Sequence, residues 1–124
     1  MGYTTDFTGR LKFSRKLTDE EYSTLMILND ERHGGNIDTT EGFPGFYCQW
    51  IPTNDRKYLL WDGNEKFYHY IEWLNFIIDR HLEPWGVTVT GTLRWKGESR
   101  DDKGKIRADA SVLTITITKK KIPT

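Results

Sequence analysis

The chain has 124 residues, 14% of them aromatic, and its 18 basic and 18 acidic residues balance to a formal net charge of zero. This length allows one domain with a single core. A balanced charge gives no whole-domain attraction for DNA or RNA, which needs clustered Lys and Arg. The single cysteine, Cys48, excludes an internal disulfide. With neither a signal-peptide layout nor a membrane-length apolar run, we expect a soluble, cytoplasmic protein.

The first two predicted elements are a strand and a short helix. Apolar and polar residues alternate from Tyr3 to Phe13, which is the period of a half-buried strand. In the sequence LTDEEY, Thr18 and Glu21 have the spacing of a capping box at a helix start. This helix should end near His33, before two glycines.

An irregular loop and a hairpin are predicted next. The segment from about 31 to 45, ERHGGNIDTTEGFPG, has no periodicity, and it is either a solvated connector or a functional loop. Strand patterns follow at Phe46 to Ile51 and Lys57 to Trp61. The turn-forming residues PTNDR between them predict a hairpin, and the apolar groups on both faces of FYCQWI indicate a central strand.

A long aromatic helix is predicted in WDGNEKFYHYIEWLNFIIDRHLEPWG. Asp62 and Glu65 could form a second capping box, and Pro84 and Gly86 should end the helix. One stripe at helical spacing should face the sheet: Phe67, Ile71, Leu74, Ile78 and Leu82. A second apolar stripe lies beside it: Tyr70, Trp73 and Ile77.

Strand patterns return at Val87 to Lys96 and at Ser111 to Thr118, with the polar turn GESRDDKGK between them. The predicted order is β-α-β-β-α-β-β. We therefore expect a single α+β domain spanning 1–124, with a mostly antiparallel sheet and two helices on one face. Its first six elements have the order of a ferredoxin-like, split βαβ core, followed by extra C-terminal strand material.

The second helix is more apolar than one sheet can cover, because a helix buries roughly a third to a half of its circumference against a sheet. Three explanations remain open: a homo-oligomer contact, cover by the loop at 31–45, or a ligand pocket. We also considered aromatic rings beside cations as a device for binding nucleotides or single-stranded nucleic acid, in competition with ordinary solvent-exposed residues. The candidate partner-binding or ligand-binding residues are Tyr70, Trp73, Ile77, Trp85, Arg94, Trp95 and Arg107.

Catalytic and metal-binding motifs give no positive signal. The chain has no phosphate-binding loop, GxSxG or HExxH motif, and its histidines have no metal-pair spacing. Cys48 in a predicted strand is interpreted as a packing residue, and the acidic residues of GESRDDKGK as a charged turn. We therefore expect no metal, no cofactor and no enzyme, with a small enzyme using His69 or His81 as the weakest alternative.

The segments MGYTTDFTG, FYCQW, WDGNEKFYHYIEWL and DDKGKI resemble a group of short proteins predicted in bacteriophage and bacterial genomes. The resemblance spans most of the chain and assigns no catalytic or binding position. By analogy, it implies an accessory protein that binds and antagonises a host defence factor, in the host cytoplasm. The alternative is a binder that sequesters a nucleotide or cyclic-nucleotide signal in an aromatic pocket at a subunit interface.

Overall fold

The computed structural model of this protein describes residues 3–33 and 43–117. These residues form an α+β fold with two helices and a six-stranded antiparallel sheet of order β2-β3-β1-β4-β5-β6. The strands are β1 Thr5–Phe13, β2 Trp50–Pro52, β3 Tyr58–Trp61, β4 Val89–Gly97, β5 Lys103–Asp109 and β6 Val112–Ile117. The helices are α1 Asp19–Asp30 and α2 Tyr70–Ile77, and α2 continues as a π-helical turn, Ile78–Leu82, and a last turn, Glu83–Trp85.

The strand registers define two faces of the sheet. Leu11 pairs with Leu59 on one side and Gly91 on the other, and Leu93 pairs with Ile106, so these side chains share the inner face. The inner face is buried, whereas the outer-face residues of the same strands are exposed or only partly buried. Both helices therefore cover the inner face. Their cover stops before β6, which is exposed along most of its length.

The capping box at the start of α1 is confirmed. Thr18 Oγ1 accepts the N–H of Glu21 at 3.2 Å, and Glu21 Oε1 accepts the N–H of Thr18 at 2.9 Å. The same carboxylate accepts two hydrogen bonds from Arg15, at 2.7 and 2.8 Å. The helix ends at Asp30, slightly before the predicted His33.

The predicted start of the second helix at Asp62 is wrong, because the helix begins at Tyr70. Asp62 Oδ1 instead accepts the N–H of Asn64 at 2.9 Å, and Oδ2 accepts a hydrogen bond from Asn29 at 2.8 Å. A carboxylate engaged in this local turn does not cap a helix, which is the competition that aspartate introduces. Three residues before the helix have positive φ angles that exclude helix: Gly63, Lys66 and His69. The predicted helix end is confirmed, with Gly86 at φ 71° as the left-handed C-cap.

The hairpin of β2 and β3 is confirmed, but β2 is shorter than predicted and lies at the sheet edge, not at its centre. The backbone before β2 is bound by α1 and the residues that follow it, and by one bond from the end of β3, in which the N–H of Asp62 donates to the carbonyl of Gln49 at 2.9 Å. The N–H of His33 donates to the carbonyl of Phe46 at 2.6 Å, and Asn29 Nδ2 donates to the carbonyl of Cys48 at 3.0 Å. Residues 46–49 are therefore irregular.

The C-terminal half adds one strand that the sequence did not locate. Residues read as a polar turn, GESRDDKGK, include the start of β5, which pairs with both β4 and β6. The acidic side chains of this turn bind the opposite end of the chain. Asp102 accepts a hydrogen bond from the Tyr3 hydroxyl at 2.7 Å, and Glu98 accepts the N–H of Thr4 at 2.8 Å. The end of the last predicted strand, Thr118, lies outside the described residues.

Strands β1 and β4 approach closely at a glycine. Gly9 has a φ angle of 91°, and a Cβ atom on it would lie 2.3 Å from the carbonyl oxygen of Thr92. Only glycine fits both the conformation and the space. Among the described helices, none has the length and apolarity needed to cross a membrane.

Candidate functional site

The apolar surplus of the second helix is partly covered within the chain. Trp73 is 0% exposed and Ile77 is 1% exposed, so neither side chain is presented to a partner. The Trp73 ring lies 5.3 Å from the ring of His33 and 6.1 Å from that of Phe43, centroid to centroid. These two residues belong to the predicted loop at 31–45, of which residues 34–42 lie outside the described part. The described ends of the loop therefore cover Trp73, in agreement with one of the three explanations that the sequence left open.

Two other predicted site residues have packing roles. Tyr70 is half-buried, with its ring 5.0 Å from that of Phe7 and 5.9 Å from that of Trp95. Burial, with a smaller contribution from the Asp102 carboxylate, raises the pKa of Tyr70 to about 12. Trp85 is partly buried, and its carbonyl accepts a hydrogen bond from Arg15 at 3.0 Å.

The remaining three predicted residues do not form one site. Trp95 lies on the inner face, where its Nε1 donates to Asp102 Oδ1 at 2.9 Å. Arg94 and Arg107 are exposed on the outer face, since residues adjacent along a strand point to opposite faces. A pocket that combines this ring with these cations is therefore not formed.

A different aromatic site lies beside the start of α2. Two irregular segments, 45–49 and 65–69, enclose a pocket of about 390 Å³. Three aromatic rings of its wall are unusually exposed: Phe46 at 48%, Tyr47 at 51% and Tyr68 at 49%. The pocket, here called the aromatic pocket, is lined by Gly45, Phe46, Tyr47, Gln49, Glu65, Lys66, Tyr68 and His69.

Hydrogen bonds and backbone conformation hold the pocket wall in place. Gln49 is buried, donates to the carbonyl of Glu65 at 2.7 Å and accepts from Trp61 Nε1 at 2.9 Å, so it ties the two segments together. Lys66 and His69 have φ angles of 61° and 58°. Left-handed backbone at non-glycine residues costs about 1–3 kcal/mol each and concentrates at functional sites.

Charged groups surround the rings of the aromatic pocket. The guanidinium carbon of Arg32 lies 4.5 Å from the centroid of the Phe46 ring, in a cation–π contact. Lys66 and Glu65 also line the pocket. The pocket therefore combines flat apolar rings with one lysine and one glutamate in its wall, and Arg32 lies against the Phe46 ring without lining the pocket.

A polar hollow of about 590 Å³ adjoins the aromatic pocket, because Tyr47, Gln49 and Glu65 line both. Asn29, Asp62 and other polar groups form the rest of its wall. The complete lining is Asn29, Tyr47, Cys48, Gln49, Asp62, Gly63, Asn64 and Glu65. Together the two hollows form a cleft with an aromatic half and a polar half.

An unpaired donor lies behind the aromatic pocket. Trp73 Nε1 is buried and has no hydrogen-bond partner among the described residues. A Cβ atom on Gly45 would lie 3.4 Å from this nitrogen and 3.3 Å from His69 Cδ2, so the nitrogen lies close to a glycine of the pocket wall. A buried polar group without a partner costs about 1–3 kcal/mol.

Of the groups considered for catalysis or metal binding, His69 lines the aromatic pocket, whereas Cys48, His33 and His81 lie outside it. Cys48 is 1% exposed, and burial raises the pKa of its thiol to about 12, so the nucleophilic thiolate is disfavoured at neutral pH. His33 is buried, with Nε2 2.8 Å from the carbonyl oxygen of Leu28. Burial lowers the pKa of the half-buried His81. Within residues 3–33 and 43–117, no group of three or more His, Cys, Asp or Glu is placed to hold a metal ion.

The sequence did not identify the residues of the aromatic pocket as a site. Phe46 and Tyr47 were assigned to a strand, and Tyr68 and His69 to the long helix, so the two segments were not expected to meet. The Asp62-Gly63-Asn64 sequence carried the missed signal, because these residues favour turns over helix.

Comparisons with protein-family models, curated proteins and solved structures gave no match for this chain.

Proposed function

We propose that this chain is a non-enzymatic binding protein and that the aromatic pocket binds its ligand. The observation that carries the proposal is the presence of three half-exposed aromatic rings around one pocket, with Arg32 and Lys66 beside them. Exposed rings are costly to leave in water and are the usual means of stacking on a flat ligand.

The ligand class that fits this chemistry is a nucleotide or a cyclic-nucleotide signal. A base would stack on the rings, and its phosphate would be attracted to the ammonium of Lys66 and the guanidinium of Arg32. The adjoining polar hollow offers Glu65 as an acceptor for sugar hydroxyl groups, a role that acidic residues often take with ribose. The protein would act by sequestering this ligand.

Variants with single rings removed test the nucleotide proposal. Thermal-shift screening against mononucleotides and cyclic dinucleotides should reveal a stabilising ligand, because a ligand that binds only the folded state raises the melting temperature. Phe46→Ala and Tyr68→Ala should each weaken its binding roughly 5- to 150-fold, since one stacked base contributes about 1–3 kcal/mol. Ile27→Ala, which removes an equally exposed apolar side chain outside the pocket, is the matched control.

Two results would overturn the nucleotide proposal. One is the absence of any melting-temperature increase with every nucleotide at millimolar concentration. The other is a bound nucleotide whose affinity is unchanged in both Phe46→Ala and Tyr68→Ala while circular dichroism shows that the variants are folded.

The second candidate function is the antagonism of a host protein, as the phage-type resemblance implies. Its support is the adjacency of two exposed rings, Phe46 and Tyr47, because aromatic residues are enriched where proteins meet. A partner purified together with the wild-type chain should be lost with Tyr47→Arg and retained with Ile27→Arg. Equal retention by both variants would overturn this candidate. A cytoplasmic location accords with either function.

We also propose that the chain forms a homo-oligomer, but through strand β6 and not through the second helix, where the contact was first expected. Strand β6 is a sheet edge, and Val112 and Ile117 are 68% and 57% exposed. Exposed apolar edge strands are templates for pairing with another chain. Light scattering of wild type and Val112→Lys should show loss of a dimer, whereas a monomeric wild type would contradict this part.

For the fold, we propose that the first six elements form a split βαβ core. The order β2-β3-β1-β4 and the antiparallel pairing of those strands support it. Strands β5 and β6 would then be the C-terminal extension.

A further inference from the structure

The outer face of the sheet concentrates positive charge in a chain whose net charge is zero. The strand registers place seven exposed basic side chains there and two acidic ones, Asp6 and Asp109. The basic residues, here called the basic face, are Arg10, Lys12, Arg94, Lys96, Lys103, Lys105 and Arg107. Although the net charge of the chain is zero, its charges are therefore strongly separated between the two sides of the sheet.

The basic face brings like charges together, and in the register of β1 and β4 one of them, Lys96, also stands opposite the acidic Asp6. Arg94 stands directly opposite Lys105, and Lys96 stands directly opposite Lys103. Like charges at directly opposed positions destabilise a sheet. The ion pairs found among the described residues all lie elsewhere, so none of them relieves this repulsion. A bound polyanion would convert this unfavourable arrangement into a favourable one.

The arrangement suits an extended polymer of regularly spaced charge. Lys103, Lys105 and Arg107 follow one another at alternate positions of β5, at intervals of about 7 Å. Between β4 and β5 lies a shallow hollow of about 260 Å³ whose wall includes Arg94, Lys105 and Arg107. Its remaining wall is formed by Thr90, Gly91, Thr92, Ala108 and Asp109, which offer hydrogen bonds, one carboxylate and little apolar area for inserting into a membrane.

An aromatic ring extends the basic face on the side of β3. Tyr58 is partly buried, and the guanidinium carbon of Arg10 lies 3.8 Å from the centroid of its ring. The guanidinium covers one face of this ring, and its own plane is a surface on which an unpaired base can stack, which a duplex, with its bases already stacked, does not use. This combination favours a single strand over a duplex.

We infer that the basic face binds single-stranded nucleic acid, mainly through phosphate contacts and without a strong sequence preference. The inference does not depend on the aromatic pocket, which lies at the ends of the helices and not on this face of the sheet. The inference also gives Arg94 and Arg107 a role on the outer face, apart from the aromatic rings with which they were grouped on the sequence alone.

Fluorescence anisotropy with labelled 20-mers of deoxythymidine and uridine, at 50, 100 and 200 mM salt, tests the inference. The wild type should bind at 50 mM salt and weaken steadily as salt rises, because binding releases counterions. The triple variant Arg94→Gln, Lys105→Gln, Arg107→Gln removes three phosphate contacts. The slope of log affinity against log salt should fall by about 2, at about 0.7 per single-strand contact.

The matched control is the triple variant Lys16→Gln, Lys57→Gln, Arg80→Gln, which removes the same charge from exposed positions outside the basic face. It should retain the wild-type salt slope. The inference is overturned if the two triple variants lose affinity equally, if the wild type does not bind at 50 mM salt, or if a duplex of equal length binds more tightly. Binding to phosphatidylserine vesicles but not to either 20-mer would also overturn it, in favour of a membrane surface.

Discussion

The substitution Trp73→Ala tests whether Trp73 is a core residue or an interface residue. In the structure its side chain is completely buried and contacts the rings of His33, Phe43 and Phe76. The change therefore removes a large side chain from the centre of a packed cluster, and the ends of the loop at 31–45 lose the surface on which they lie.

The size of the effect follows from the burial. Truncating a fully buried tryptophan costs about 3–5 kcal/mol, a large share of the roughly 5–15 kcal/mol that stabilises a domain. At about 4 °C per kcal/mol for a chain of this size, the melting temperature of Trp73→Ala should fall by about 12–20 °C. Trp73→Phe should cost clearly less, because it keeps a ring and removes an N–H that has no partner among the described residues.

Urea unfolding followed by circular dichroism, with light scattering on the same samples, measures both quantities. Ile27→Ala is the control for a surface position, and its unfolding free energy should stay within about 0.5 kcal/mol of wild type. The reasoning fails if Trp73→Ala changes the molecular mass in solution while leaving the unfolding free energy unchanged. Should the alanine variant not fold, the milder Trp73→Phe variant still gives the comparison.

Two further predictions concern the sheet and the first helix. Gly9→Ala should destabilise the fold by at least about 2 kcal/mol more than Gly63→Ala: both glycines have positive φ, but only at Gly9 would a Cβ meet the carbonyl of Thr92. Equal unfolding free energies for the two variants would show that the strands separate easily there. The hydrogen bonds from Arg15, with smaller contributions from Thr18, lower the pKa of Glu21 to about 2. Because this pKa lies below the unfolded value near 4.5, the pair stabilises the fold at neutral pH, by about 1–2 kcal/mol once solvent screening of the partly exposed Arg15 is considered. That contribution should disappear as pH falls from about 4.5 to 2, and Glu21→Gln should remove both the stability and this pH dependence; an unchanged acid-unfolding profile would contradict the prediction.

Local patterns in the sequence predicted the first strand and the first helix well, but not β5 or the edge position of β2. The alternation from Tyr3 to Phe13 and the Thr18–Glu21 capping box each depend on residues close in the chain, and both appear in the structure. The predicted start of the second helix was wrong because the spacing of Asp62 and Glu65 also fits a capping box. In the folded chain the Asp62 side chain is instead bound by Asn29, a residue distant in the sequence.

The candidate site depended on such distant contacts and could not be predicted. The aromatic pocket exists because the carbonyls of Phe46 and Cys48 bond to His33 and Asn29 instead of pairing with a strand, and because 65–69 remain non-helical. The excess of apolar residues was recognised correctly, and cover by the loop at 31–45 was one of the three explanations that the sequence left open. Trp73 is covered by the chain itself, whereas the exposed rings are those of Phe46, Tyr47 and Tyr68.

The most direct test of whether the aromatic pocket binds a nucleotide is chemical-shift mapping by ¹H–¹⁵N NMR. During titration with a nucleotide that raises the melting temperature, we expect the largest shifts at residues 45–49 and 65–69, and we expect them to be absent in Tyr68→Ala. Shifts confined to other parts of the chain, or no shifts at a saturating concentration, would contradict the assignment of the aromatic pocket as the binding site.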